Sequence, residues 1–139
     1  MTKTERLHFD RYAEGEGLFR EYYELMGQLL DTRFVEAMIE DKGWNQIYIY
    51  GGGYLGIQSC LAFQQFLQVL CIIDRKGQLI VGRSDIHTPV MTLTQWKNDH
   101  DKKVPVLITP LQYMDEIKRD LVNAAVENYI GIHELVAGL

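Results

Sequence analysis

The run Ile47-Tyr48-Ile49-Tyr50-Gly51-Gly52-Gly53-Tyr54-Leu55-Gly56 constrains this chain more than any other feature. Four residues of high strand preference lead directly into three glycines, and apolar residues then resume helical spacing through Gly56, Cys60, Phe63 and Leu67. A buried strand, a sharp turn and a helix therefore follow one another without a linker. Gly51, Gly53 and Gly56 fit the pattern GxGxxG. In such a turn the first glycine allows the tight reversal, the second lets backbone approach a phosphate, and the third lets helix and strand pack closely. A helix opening at Tyr54 directs unpaired N–H groups and its positive dipole end at the turn. Gly51, Gly52, Gly53, Tyr54, Leu55 and Gly56 are thus the expected phosphate cradle.

Local anion binding is the only kind this composition favours. The chain has 139 residues and a formal charge of −5, which argues against broad electrostatic contact with nucleic acid or an anionic membrane. Its hydrophobic fraction of 47% and charged fraction of 24% are those of a folded globular chain, and its length suits one domain, with a helical extension. The start Met-Thr-Lys-Thr-Glu-Arg leads into no signal-peptide core, and no apolar run has the length of a membrane span. A cytoplasmic protein is the expectation. Cys60 and Cys71 sit in apolar segments without metal-ligand spacing, so buried thiols are expected rather than a disulfide, and no metal site.

Downstream, Val69 to Ile73 is a continuous apolar run ending at Asp74, as in a parallel strand buried on both faces. Asp74 lies 18 residues past Gly56, where an acidic side chain accepts ribose hydroxyls in dinucleotide-binding folds. Arg75 and Lys76 beside it can offset a 2′-phosphate, although charged residues in a turn are usually solvated, so NAD and NADP are not distinguished. Leu79-Ile80-Val81 and Pro89-Val90-Met91 are weaker strand candidates, and Thr94 is a candidate cap for a helix through Trp96. Val104 to Ile108 is another buried strand, ending at Thr109-Pro110. An amphipathic helix follows with Met114, Ile117, Leu121 and Ala124 on one face, then a last strand at Tyr129-Ile130-Gly131-Ile132 and a final helical turn. The pattern predicts an α/β fold over residues 44–139: a small, doubly wound, mostly parallel Rossmann-like sheet of about five strands. Residues 1–43 form an N-terminal helical segment. There, Leu18, Tyr22, Leu25 and Leu29 line up beside Phe19, Tyr23, Met26, Leu30, Phe34 and Met38, as one long helix or as two if Asp31-Thr32 caps a second.

In such sheets ligands lie outside the carboxyl ends of the strands where strand order reverses. That nominates Thr109, Pro110, Leu111 and Gln112 beside the glycine loop, with Thr109 serving equally as a contact or as a helix cap. Ser84, Asp85 and His87 are further candidates. No catalytic constellation stands out: Tyr113 and Lys118 have the wrong spacing for a short-chain dehydrogenase pair, no serine elbow is present, and His8, His87, His100 and His133 are scattered. A methyltransferase reading is weakened because the first strand ends Tyr48-Ile49-Tyr50 without an acidic residue.

From Trp44 to Val136 the chain resembles the small Rossmann-like nucleotide-binding domains of bacterial surface-polysaccharide and sugar-nucleotide enzymes. The likeness rests on Ile47 to Gly56, Ile72-Ile73-Asp74, Pro89-Val90, Val106 to Thr109, Tyr113 to Ile117 and Ile130-Gly131-Ile132-His133-Glu134-Leu135. It implies that Gly51, Gly53, Gly56 and Asp74 contact a nucleotide, with NAD(P) or a nucleotide-sugar as ligand and a partner enzyme nearby. The segment before Trp44 departs from that pattern, and no fused catalytic domain is expected after Leu139. The helical segment then covers the half-site, packing on its own sheet or on a second copy; its aromatic residues favour a homodimer. Three functions follow: a nucleotide-binding or regulatory module, a small oxidoreductase or sugar-modifying enzyme completed at a dimer interface, or an interaction domain with a vestigial site.

Overall fold

The structure, a computed structural model, describes residues 20–138. Leu18, Phe19 and His8 lie outside the described residues. The chain is helical from residue 20 to residue 29 (α1) and again over Thr32–Lys42 (α2). The break between them is Asp31, whose carboxylate accepts the N–H groups of Arg33 and Phe34 and caps the second helix. Gly43, at φ 66°, ends α2 by turning its N–H back to Ile39 and Glu40.

Five strands follow: β1 (Gln46–Tyr50), β2 (Gln68–Ile73), β3 (Val90–Met91), β4 (Val106–Ile108) and β5 (Tyr129–Gly131). They form one sheet in the order β3-β2-β1-β4-β5, every pair parallel. The connecting helices are α3 (Tyr54–Phe63), α4 (Leu93–Asn98), α5 (Met114–Asn123, entered through a 3-10 turn at Leu111–Tyr113) and α6 (Ile132–Ala137). This is the small doubly wound Rossmann-like arrangement that the periodicities predict.

Strand alternation divides the core into two layers. Ile47, Ile49 and Leu107 face a layer completed by α1, α2, α3 and α6, through Leu25, Leu29, Val35, Met38, Phe63 and Leu135. Tyr48, Tyr50, Val106 and Ile108 face the opposite layer, completed by Trp96 of α4 and by Met114, Ile117 and Leu121 of α5. Among the described residues of the N-terminal segment, Leu25, Leu29, Val35 and Met38 are buried against the sheet, whereas Tyr23 and Leu30 are exposed. Strand β2 breaks strict alternation: Ile47 pairs with Val69 but Tyr48 with Cys71, so Leu70 is an extra residue, and Val69 and Cys71 face opposite layers.

Two local expectations differ from the structure. Leu79 to Val81 form no strand, because the edge position beside β2 is taken by Val90–Met91, which pairs with Ile72 and Ile73. Thr92, not Thr94, caps α4, through a reciprocal box in which Thr92 Oγ1 accepts the Gln95 N–H and Gln95 Oε1 accepts the Thr92 N–H. Among the described residues no helix is long and apolar enough to cross a membrane.

Candidate functional site

Strand order reverses between β1 and β4, and the glycine loop leaves the carboxyl end of β1 at that point. Gly51 has φ 119°, a conformation that side-chain-bearing residues rarely adopt, and donates its N–H to the Ile73 carbonyl at 2.7 Å. A Cβ there would overlap Thr109 Oγ1 and crowd the Pro110 ring. A Cβ on Gly56 would overlap the Gly51 carbonyl, so the start of α3 rests directly on the turn. Gly53 is different. It occupies the N-cap of α3 with extended backbone, no side chain caps the helix, and a Cβ on it would meet nothing within 4 Å. The first turn of α3 carries no acidic residue.

The segment after β2 is laid across the loop. Asp74 Oδ1 accepts the Gly52 N–H at 3.2 Å and Oδ2 accepts the Lys76 N–H at 2.9 Å. Ile80 donates its N–H to the Gly52 carbonyl at 2.7 Å, and the Gln78 carbonyl stands 2.6 Å from where a Gly52 Cβ would be. Gly52, a variable position in GxGxxG, is thus required here by close approach. Leu79 to Val81, expected as a strand, form part of this cover.

Arg75 extends toward α5: its guanidinium lies 5.4 Å from the Tyr113 ring centroid and pairs with Glu116 at 3.3 Å. Thr109 is buried and doubly tied to β1, donating both its N–H and its hydroxyl to the Tyr50 carbonyl at 3.0 and 2.8 Å. It joins β4 to β1 and caps no helix; the 3-10 turn that follows has Pro110 at its N-cap and no side-chain cap.

These groups enclose a cleft of about 660 Å³. Of the sequence-predicted residues, Gly51, Gly52, Gly53, Asp74, Arg75, Thr109 and Pro110 line it, together with Leu111 and Gln112. Tyr54, Leu55 and Gly56 do not line it: Tyr54 is exposed, and Leu55 and Gly56 are buried in the helix packing. Tyr22 of α1, Tyr50, Lys76, Gln78, Tyr113 and Ile117 also contribute to the wall. Of these, Tyr22 and Ile117 read in the sequence as helix-face residues, Tyr50 as part of the buried strand, and Tyr113 as the start of the helix after the fourth strand. Burial pushes the phenols of Tyr22 and Tyr50 above their ordinary range, so both are neutral at pH 7.

The remaining candidates lie elsewhere. Asp85 is exposed and pairs with Arg83 at 2.7 Å, which holds its carboxyl below the usual range; Ser84 and His87 are exposed in the same loop. His100 stacks on Trp96 with ring centroids 4.0 Å apart. His133 is in the first turn of α6. Among the described residues no histidine lines the cleft, and no three His, Cys, Asp or Glu side chains are grouped to hold a metal. Chemically, the cleft offers the backbone of Gly53, two cations (Arg75 and Lys76), the Asp74 carboxylate and aromatic surface, which is equipment for holding a ligand. Comparison with protein-family models, curated proteins and solved structures returned no match.

Proposed function

We propose that this chain is a nucleotide-binding module that holds a phosphate-bearing ligand, NAD(P) or a nucleotide-sugar, at the glycine loop, and that it regulates or delivers ligand to a partner enzyme of sugar metabolism in the cytoplasm. The observation that carries this reading is the uncapped N-terminus of α3 at Gly53, with open space where any side chain would stand, located where strand order reverses. Backbone amides and a helix dipole at such a point favour a phosphate. Asp74 is tied to the same loop through the Gly52 N–H, and we assign it the hydroxyls of an adjoining ribose.

A thermal-shift panel of NAD, NADP, UDP-glucose, coenzyme A and S-adenosylmethionine tests the reading. A ligand at 100 times its dissociation constant stabilises a folded protein by about 2.7 kcal/mol, which moves the melting temperature by several degrees. We expect at least one member to do so, and Gly53→Val, which fills the cradle, to abolish the shift. No shift with any member, or a shift that Gly53→Val leaves intact, would sink it.

A further inference from the structure

We propose that Trp96 and His100 hold one internal water molecule, which bridges the indole N–H to the imidazole Nε2 on the α4 side of the sheet. Neither residue lines the cleft, so the site is separate from the glycine loop and independent of what binds there.

Both ring nitrogens are buried with no hydrogen-bond partner among the described residues. Trp96 is 1% exposed and lies in the same apolar layer as Val104, Val106 and Leu121. His100 lies in the connection from α4 to β4, and its ring stacks on Trp96 with centroids 4.0 Å apart and planes 24° from parallel. The two unpaired atoms therefore belong to one stacked pair rather than to separate parts of the core. A buried polar atom left unpaired is costly, and ordered water completes such atoms where protein groups do not reach.

The chemistry of the occupant follows from the tautomer of His100. Its Nδ1 stands 2.9 Å from the Trp96 carbonyl and 3.2 Å from the Lys97 carbonyl. Both partners only accept, so Nδ1 carries the proton and the neutral ring presents a lone pair at Nε2. The Trp96 nitrogen can only donate. Whatever joins the two must accept one hydrogen bond and give another. A metal cation is repelled by the indole N–H and a simple anion has no proton for His100, whereas water does both.

The bridge also explains how this connection is fastened. Asp101, next to His100, donates its N–H to the Tyr48 hydroxyl at 3.0 Å, and the Tyr48 ring meets Trp96 edge-on at 5.4 Å. With the water in place, two successive residues after α4 are tied to the core, His100 through Trp96 and Asp101 through Tyr48.

A crystal structure of the full chain at atomic resolution, with NMR of the same protein at pH 8, tests the proposal. We expect a water peak within about 3.2 Å of both Trp96 Nε1 and His100 Nε2. Two-bond nitrogen–proton couplings should report the Nδ1–H tautomer of His100. The Trp96 indole proton should show a cross-peak to water with the sign that marks a long-lived molecule, and Trp96→Phe distinguishes it from that of Trp44. His100→Phe, which keeps a flat ring and removes the acceptor, should abolish the cross-peak; if that variant does not fold, the wild-type density and spectra decide alone. A dry site, a water on only one of the nitrogens, an Nε2–H tautomer, or a cross-peak unchanged in folded His100→Phe would each overturn the proposal.

Discussion

Gly52 donates its backbone N–H to Asp74 Oδ1 across 3.2 Å, while the other oxygen of the same carboxylate accepts the Lys76 N–H. One side chain at the end of β2 therefore ties the turn after β2 to the turn after β1. That tie sets an acceptor beside the residue preceding the N-cap of α3.

Replacing Asp74 measures the tie. Asp74→Ala leaves two N–H groups without their acceptors, at a cost of about 1–3 kcal/mol in urea unfolding. Asp74→Asn keeps an acceptor oxygen and should lose less than half as much. An alanine variant as stable as wild type would show that the carboxylate does not organise the loop.

Two glycines of one motif should separate cleanly. At Gly56 a methyl group would overlap the Gly51 carbonyl, and backbone must move, so Gly56→Ala should cost about 3 kcal/mol or more. At Gly53 a methyl meets nothing and φ is −79°, so Gly53→Ala should stay within about 1 kcal/mol of wild type. Denaturant titration of the pair decides this, and comparable losses at the two positions would contradict the geometry.

The cysteines should be inert in the folded protein. Burial pushes the Cys71 thiol up to about 12 and raises that of Cys60 as well. Ellman's reagent at pH 8 should label neither thiol until denaturant is added, then both. The sign of the pH effect follows: the raised folded values favour the native state fully below the ordinary thiol value near 8.5. That stability is lost as pH rises from there toward about 12, because the unfolded chain releases its thiol protons first.

Glu134 gives an opposite and smaller dependence. Lys118 beside it, with the Gly131 N–H, holds its carboxyl below the ordinary range. The stabilisation is present above the ordinary glutamate value near 4.3 and is lost as pH falls through the depressed folded value. Because Glu134 is exposed and Lys118 only partly buried, Glu134→Gln should cost under about 1 kcal/mol at pH 7. The difference from wild type should vanish near pH 3; a gap that widens on acidification would refute the assignment.

Much of the fold is legible in local pattern. The continuous apolar run Ile47, Tyr48, Ile49 and Tyr50 specifies a buried strand, and the three glycines after it specify the turn into α3, because both depend only on neighbours in the chain. Asp31 as a helix cap and the α5 stripe of Met114, Ile117 and Leu121 are local in the same sense.

Other features are set by what packs from far along the chain. Val90–Met91 takes the sheet edge instead of Leu79 to Val81, and the loop holding Ile80 folds over Gly52. The extra residue at Leu70 inverts the faces of Val69 and Cys71, which period-two reading cannot anticipate. Tyr50 read as part of a buried strand and Tyr113 as a helix start, and only the strand order brings Arg75 to them across the end of β1. The strand, the glycine turn and the helix follow from short stretches of residues, since the backbone freedom of glycine and the period of apolar residues act over a few positions. The tertiary structure alone decided which side chains meet at the cleft, since contacts between distant segments depend on how the strands are ordered and which faces they bury.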